Sequence, residues 1–111
     1  MPLEIQSTDV LLSTWSDDED MLGLLEMFVG ALPERIAAIE QALEQEDLPA
    51  LASLSHQMKG SAGGYGFPAI TAAAAELEDG VKAGSELTTL VQKTRELTEL
   101  CARVRVRADS V

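Results

Sequence analysis

The strongest constraint on the fold is a run of apolar residues spaced three and four positions apart in the first half of the chain. The run comprises Met21, Leu25, Phe28, Leu32, Ile36, Ile39 and Leu43. This spacing places all of these side chains on one face of an α-helix, and it predicts a long amphipathic helix. Asp17 and Asp18 precede the run and can cap the helix start. Pro33 lacks an N–H group, which predicts a kink or a short break near residues 29–33.

The same periodicity predicts three further helices. The second begins after Asp47, a good N-cap followed by Pro49, and runs towards Tyr65 with a buried stripe. The third begins after Gly66 at Pro68 and stops at Gly84, and the fourth begins near Ser85. The side chains that we expect these helices to bury are Leu51, Ser55, Met58 and Ala62, then Ile70, Ala73, Ala74, Leu77 and Val81, and then Leu87, Leu90, Val91, Leu97, Cys101 and Val104.

The two ends of the chain carry weaker signals. Residues Thr8 to Trp15 predict a short helical lid with Trp15 as its anchor. The alternation from Arg103 to Arg107 has the period of a strand, but without other strand signals we interpret it as the fraying end of the last helix. Helices joined by short connections pack most simply up and down. The predicted fold is therefore all-α, an antiparallel up-down four-helix bundle with a short N-terminal helix, forming one domain over residues 1–111 with a core bundle at about 17–108.

Composition supports this fold and excludes several function classes. Hydrophobic residues make up 46% of the chain and aromatic residues only 4%, which favours an aliphatic helical core. The formal net charge of -11 removes the basic surface that nucleic acids and anionic membranes require. We interpret Arg103, Arg105 and Arg107 as cations at a helix C-terminus. The single cysteine, Cys101, excludes an intramolecular disulfide and a cysteine-based metal site. We expect a cytoplasmic monomer without a membrane span.

One outward stripe of the second helix contains unusual residues. His56, Lys59, Gly60 and Gly63 follow one another at helical spacing and point largely away from the buried stripe. Each glycine inside a helix costs about 0.8–1.0 kcal/mol relative to alanine. Close approach of a neighbouring helix would explain Gly63 or the adjacent Gly64, and a C-cap would explain Gly66. Neither explanation covers Gly60, which lies one turn from the only histidine.

The run from Ser55 to Gly66 resembles the signature of histidine-containing phosphotransfer (HPt) domains. That signature is H-x-x-K-G followed by glycines seven and ten positions after the histidine, and here it falls on a helix of a small acidic chain. The resemblance extends to the Leu77-Glu78 pair downstream, and in length and helix order it covers nearly the whole chain. It implies a phosphorelay intermediate that takes a phosphoryl group from a receiver-domain aspartyl phosphate or a sensor or hybrid histidine kinase. The intermediate then passes the group to a response-regulator receiver.

The resemblance also implies roles for individual residues. His56 is the phosphoryl acceptor, because a neutral imidazole keeps a nucleophilic lone pair at physiological pH. Lys59, one turn away, neutralises the phosphoryl oxygens, and Glu78 from the adjacent helix holds Nδ1–H and fixes the tautomer. We expect Gln57, Gly60 and Gly63 to contact the partner. Such a carrier needs no cofactor or metal of its own and is not an enzyme, because the partner supplies the catalytic groups.

Two alternatives remain open from the sequence. The chain could be the phosphorylatable domain excised from a hybrid or chemotaxis-type histidine kinase, whose donor would be ATP bound on a separate catalytic domain. It could also be a non-catalytic helical adaptor with an incidental histidine. Met1 and the compact length favour a free-standing protein over an excised domain.

Overall fold

The architecture of the chain follows from four helices in a computed structural model that describes residues 10–107. The helices are α1 (Leu22–Glu44), α2 (Leu48–Gly64), α3 (Pro68–Lys82) and α4 (Leu87–Ala102), and a short 3-10 turn (Glu19–Met21) leads into α1. Each helix packs against the next, and α1 packs against α4, which closes a ring of four helices around one core. The described residues contain no strand. The predicted all-α helical bundle is confirmed.

The core is built in layers from aliphatic side chains that recur every two helical turns. In α1 these are Leu25, Leu32 and Ile39, in α2 Leu51 and Met58, in α3 Ile70 and Leu77, and in α4 Leu90 and Leu97. Positions seven residues apart lie on the same face of a helix, so each helix keeps one side against the core. Phe28 adds an aromatic layer at one end, with its ring stacked 5.0 Å from Tyr65 and 5.4 Å from Phe67.

The ends of α2 and α3 carry the signals that the sequence predicts. At the start of α1 the prediction is only partly right, because Asp18 accepts a hydrogen bond from the N–H of Asp20 and caps the 3-10 turn, whereas Met21 precedes α1 without a side-chain cap. The Asp47 side chain accepts a hydrogen bond from the N–H of Ala50 and caps α2, and Gly66 and Gly84 follow α2 and α3 with positive φ angles of 81° and 75°. After α2 the N–H of Phe67 donates to the carbonyl of Ala62 at 2.9 Å, which completes a Schellman cap.

The predicted break at Pro33 is wrong, because α1 continues through this residue. Pro33 itself is exposed, while Leu32 and Ile39 on either side of it are buried in the same core. Burial of both halves of α1 against one core stabilises a single helix over the local cost of the missing hydrogen bond.

The predictions for the two ends of the chain are also wrong. Thr8 lies outside the described residues, but residues 10–15 are not helical, and Trp15 is 40% exposed and so does not anchor a lid. Instead, Leu11 and Val104 form a parallel bridge. The Leu11 N–H donates to the Arg103 carbonyl at 2.7 Å, and the Arg105 N–H donates to the Leu11 carbonyl at 3.1 Å. The tail therefore leaves the helix after Ala102 and is bridged to Leu11 at Val104, so it is not the fraying end of α4.

The first residue of α4 differs from the prediction in its burial. Leu87, which we expected to be buried, is exposed because it is the first residue of α4 and its side chain precedes the packed part of the helix. Among the described helices, none has both the length and the apolar character needed to cross a membrane.

Candidate functional site

The site begins on α2, where a buried residue is followed directly by an exposed one. Ser55 is fully buried, and its hydroxyl donates to the Leu51 carbonyl one turn earlier at 2.7 Å, so the buried polar group is satisfied within its own helix. His56, the next residue, turns outward, with 66% of its side chain exposed. The sequence-based prediction that His56 lies on the exposed stripe is therefore confirmed.

Glu78 on α3 carries the central charge of the site. Its side chain is only 3% exposed, and it lies next to the buried Leu77 on the face of α3 that packs against α2. Oε2 of Glu78 is 3.1 Å from Nδ1 of His56 and 2.7 Å from Nζ of Lys82. Oε1 is 2.8 Å from Nζ of Lys59. A buried carboxylate is stable only when it is paired, and here two ammonium groups pair with it.

The two lysines fix the ionisation of Glu78. Contact with Lys59, and then with Lys82, lowers the pKa of the Glu78 carboxyl from 4.5 to about 2, against the opposing effect of burial. Glu78 is therefore an anion at physiological pH, and a carboxylate anion can only accept hydrogen bonds. It follows that Nδ1 of His56 carries the hydrogen and donates it to Oε2. In the neutral ring this tautomer leaves the lone pair on Nε2.

The glycines of the signature differ in what their surroundings require. A Cβ atom at Gly60 or Gly64 would meet nothing within 4 Å, and one at Gly63 would lie 3.6 Å from Oγ1 of Thr71, an ordinary contact. The expectation that Gly63 or Gly64 permits an unusually close helix approach is therefore wrong. Glycine is required at position 66 because its φ is positive and because a Cβ atom there would collide with the side chains of Ser13 and Thr14. Packing does not explain the glycine at position 60.

The structure brings the predicted residues together in two groups. His56, Lys59 and Glu78 are in direct contact through the carboxylate. The expected partner contacts, Gln57, Gly60 and Gly63, lie along the exposed surface of α2 beside them, and Gln57 donates to Oγ of Ser53 at 3.3 Å.

Lys82 is the contact that sequence reasoning missed. It lies four residues after Glu78 on the same helix, the spacing at which a glutamate and a lysine meet on a helix surface. That spacing was visible in the sequence and could have predicted the pair. Over residues 10–107, no three His, Cys, Asp or Glu side chains come together as a metal site would require.

Comparison with known proteins adds one finding to this geometry. A protein-family model described as Hpt domain matches residues 23–107, which is most of the chain. Hpt domains are helical phosphocarrier modules of two-component signalling that interact with kinases and response-regulator receivers. No curated protein and no solved structure gave a match.

Proposed function

The chain belongs to the Hpt domain family, and from this premise we propose that it is a phosphorelay intermediate whose acceptor is His56. His56 takes a phosphoryl group from a receiver-domain aspartyl phosphate or a histidine kinase and passes it to a response-regulator receiver. One observation carries the proposal. An exposed imidazole has its Nδ1 held by a buried, ionised carboxylate, so its other nitrogen is free to act as a nucleophile.

The chemical step uses groups that this geometry places together. The Nε2 lone pair attacks phosphorus, the N–P bond forms, and the P–O bond to the partner's aspartate breaks and leaves a carboxylate. The Nδ1 hydrogen stays on the ring, which gains positive charge, and the Glu78 carboxylate stabilises that charge. Lys59, 34% exposed and held by Glu78, supplies a cation for the phosphoryl oxygens. The partner supplies the remaining catalytic groups, so this chain acts as a carrier and not as an enzyme.

The partner must approach across the exposed surface of α2. Gly60, one turn after His56, has open space where a side chain would stand. This space supports a role for Gln57, Gly60 and Gly63 in contacting a docked receiver. We place the exchange in the cytoplasm, between a monomeric carrier and its partners.

Transfer of label tests the proposal directly. The chain is incubated with phosphorylated receiver domains, and separately with a histidine kinase and ATP, and the label on the chain is measured. We expect a phosphoramidate on His56 that is stable in alkali and labile in acid. Because His56 is the only histidine, the His56→Gln variant is a clean control, and it should accept nothing while keeping its helix content. Full labelling of folded His56→Gln would refute the proposal.

A further inference from the structure

Two ammonium groups contact the carboxylate of Glu78, although one would balance its charge. A single ammonium group at Oε1, that of Lys59, already pairs the buried anion. Lys82 adds a second at Oε2, the same oxygen that contacts Nδ1 of His56. The cluster of Glu78, Lys59 and Lys82 therefore carries an excess positive charge beside the imidazole, in a chain whose formal net charge is -11.

Without this excess charge, Glu78 would have two opposing effects on the reactivity of His56. A carboxylate in contact with an imidazole favours the charged imidazolium, since an opposite charge within about 4–6 Å stabilises the ionised form. The imidazolium has a hydrogen on both nitrogens and no lone pair with which to attack phosphorus. A glutamate that fixes the tautomer of His56 would thus, on its own, also favour the unreactive form of the ring.

We propose that Lys82 is a positioning residue that acts through Glu78: its ammonium group on Oε2 offsets the carboxylate's charge, so that His56 stays neutral while Glu78 still holds the Nδ1–H tautomer. This inference rests on the proposed role of His56 as phosphoryl acceptor. Lys82 suits this role because it is 64% exposed and lies on the same helix as Glu78, so that its charge is kept largely hydrated and its contact does not depend on α2.

Charged and titratable groups from two helices surround the carboxylate of Glu78. His56 and Lys59 contact the carboxylate from α2, and Lys82 contacts it from α3. Contact with Glu78 and, to a smaller extent, the charge of the neighbouring Asp79 on α3 raise the pKa of Lys82. Nζ of Lys82 and Nδ1 of His56 both contact Oε2 of Glu78. The distance between these two nitrogens is therefore at most the sum of their distances to that oxygen.

Nitrogen NMR of the His56 ring measures both charge and tautomer without any phosphodonor, and the single histidine makes its signals unambiguous. In Lys82→Met we expect the protonation midpoint of the ring to rise by about half a pH unit, the effect of one charge at about 5 Å in a largely aqueous setting. The Nδ1–H tautomer should persist, because Glu78 and Lys59 remain. Lys82→Arg should keep the midpoint of the unaltered chain.

Lys93→Met is the matched control. Lys93 lies on α4 and pairs with Glu76 at 3.6 Å, so its loss makes the same change in net charge at a lysine whose ion pair is with Glu76 and not with Glu78. Equal shifts in Lys82→Met and Lys93→Met, or no shift in either, would overturn the inference. Loss of the Nδ1–H tautomer in Lys82→Met would also overturn it, since Lys82 would then be needed to place Glu78.

The pH profile of phosphoryl acceptance, measured with a phosphorylated receiver, completes the test. We expect the midpoint of this profile to move with the NMR midpoint in Lys82→Met and to stay unchanged in Lys93→Met. If the NMR shift is seen but no variant and no unaltered protein accepts label, the proposed phosphorelay function fails while the charge balance stands. If label is accepted with the same profile in all variants, the function stands and the role of Lys82 is refuted.

Discussion

Replacing Gly60 with alanine is expected to stabilise the fold by about 0.8–1.0 kcal/mol. This is the usual difference between glycine and alanine inside a helix, and it arises because alanine has less backbone freedom to lose on folding. Nothing in the structure opposes it, because Gly60 lies within α2 with an ordinary helical backbone and the added Cβ would meet no atom within 4 Å. For a domain of this size the melting temperature should rise by about 3 to 6 °C.

Thermal and urea denaturation followed by far-ultraviolet circular dichroism would measure this change. Gly66→Ala is the matched control, because its Cβ would lie 2.6 Å from Oγ of Ser13 and from Oγ1 of Thr14 at a φ of +81°. We expect this variant to lose about 1 kcal/mol or more. If Gly60→Ala were destabilised to a similar extent, Gly60 would be a packing residue and the reasoning from open space would be refuted.

A longer side chain at the same position tests the docking role. Gly60→Gln should remain folded, since its side chain extends into open space, but it should slow phosphoryl transfer because it stands one turn from His56. Unchanged transfer in stably folded Gly60→Gln would contradict a role for Gly60 in partner access.

Four further predictions follow from individual contacts. Lys59→Ala should slow phosphoryl acceptance by about tenfold without abolishing it, since a partly exposed cation is partly screened by water; acceptance at the unaltered rate would contradict this. Glu46→Gly should raise the urea midpoint by an amount equivalent to about 0.5–1 kcal/mol, because Glu46 holds a left-handed φ of 54° after α1. The pKa of Glu78 is lower in the fold than in the unfolded chain, so its stabilising contribution is complete above about pH 4.5 and is lost as the pH falls towards 2. Denaturation midpoints over this range should show that loss, and Glu78→Gln should lack this part of it. Burial raises the pKa of the Cys101 thiol to about 12, so a thiol reagent at neutral pH should label it far more slowly in the folded chain than in urea.

The bundle could be predicted from the sequence because its determinants are local. Apolar spacing fixes which face of each helix is buried, and Asp47, Gly66 and Gly84 mark helix ends through contacts within a few residues. His56 could be placed on an exposed stripe by the same reasoning, since helix geometry alone sets its direction. The break at Pro33 was wrongly predicted because the packing that holds α1 together involves other helices.

The remaining features depend on contacts between distant parts of the chain. The bridge between Leu11 and Val104 joins residues far apart in the sequence. The alternation from Arg103 to Arg107 has the period of a strand, but no second alternating run marks its partner, so the bridge could not be predicted. The pairing of Glu78 with His56 depends on how α2 and α3 align. Helical periodicity gives the face of each helix but not its position along its neighbour.

That alignment ties the chemistry of the site to the packing of α2 on α3. Gly63 of α2 faces Thr71 of α3, and the two helices run in opposite directions. Seven residues back along α2 is His56, and seven residues forward along α3 is Glu78, so the same register that pairs Gly63 with Thr71 pairs His56 with Glu78 two turns away. A shift of one residue would carry the Glu78 carboxylate about 100° around its helix and away from Nδ1. The tautomer of His56 is thus a consequence of helix packing, and the buried core that sets the register also sets which nitrogen can react.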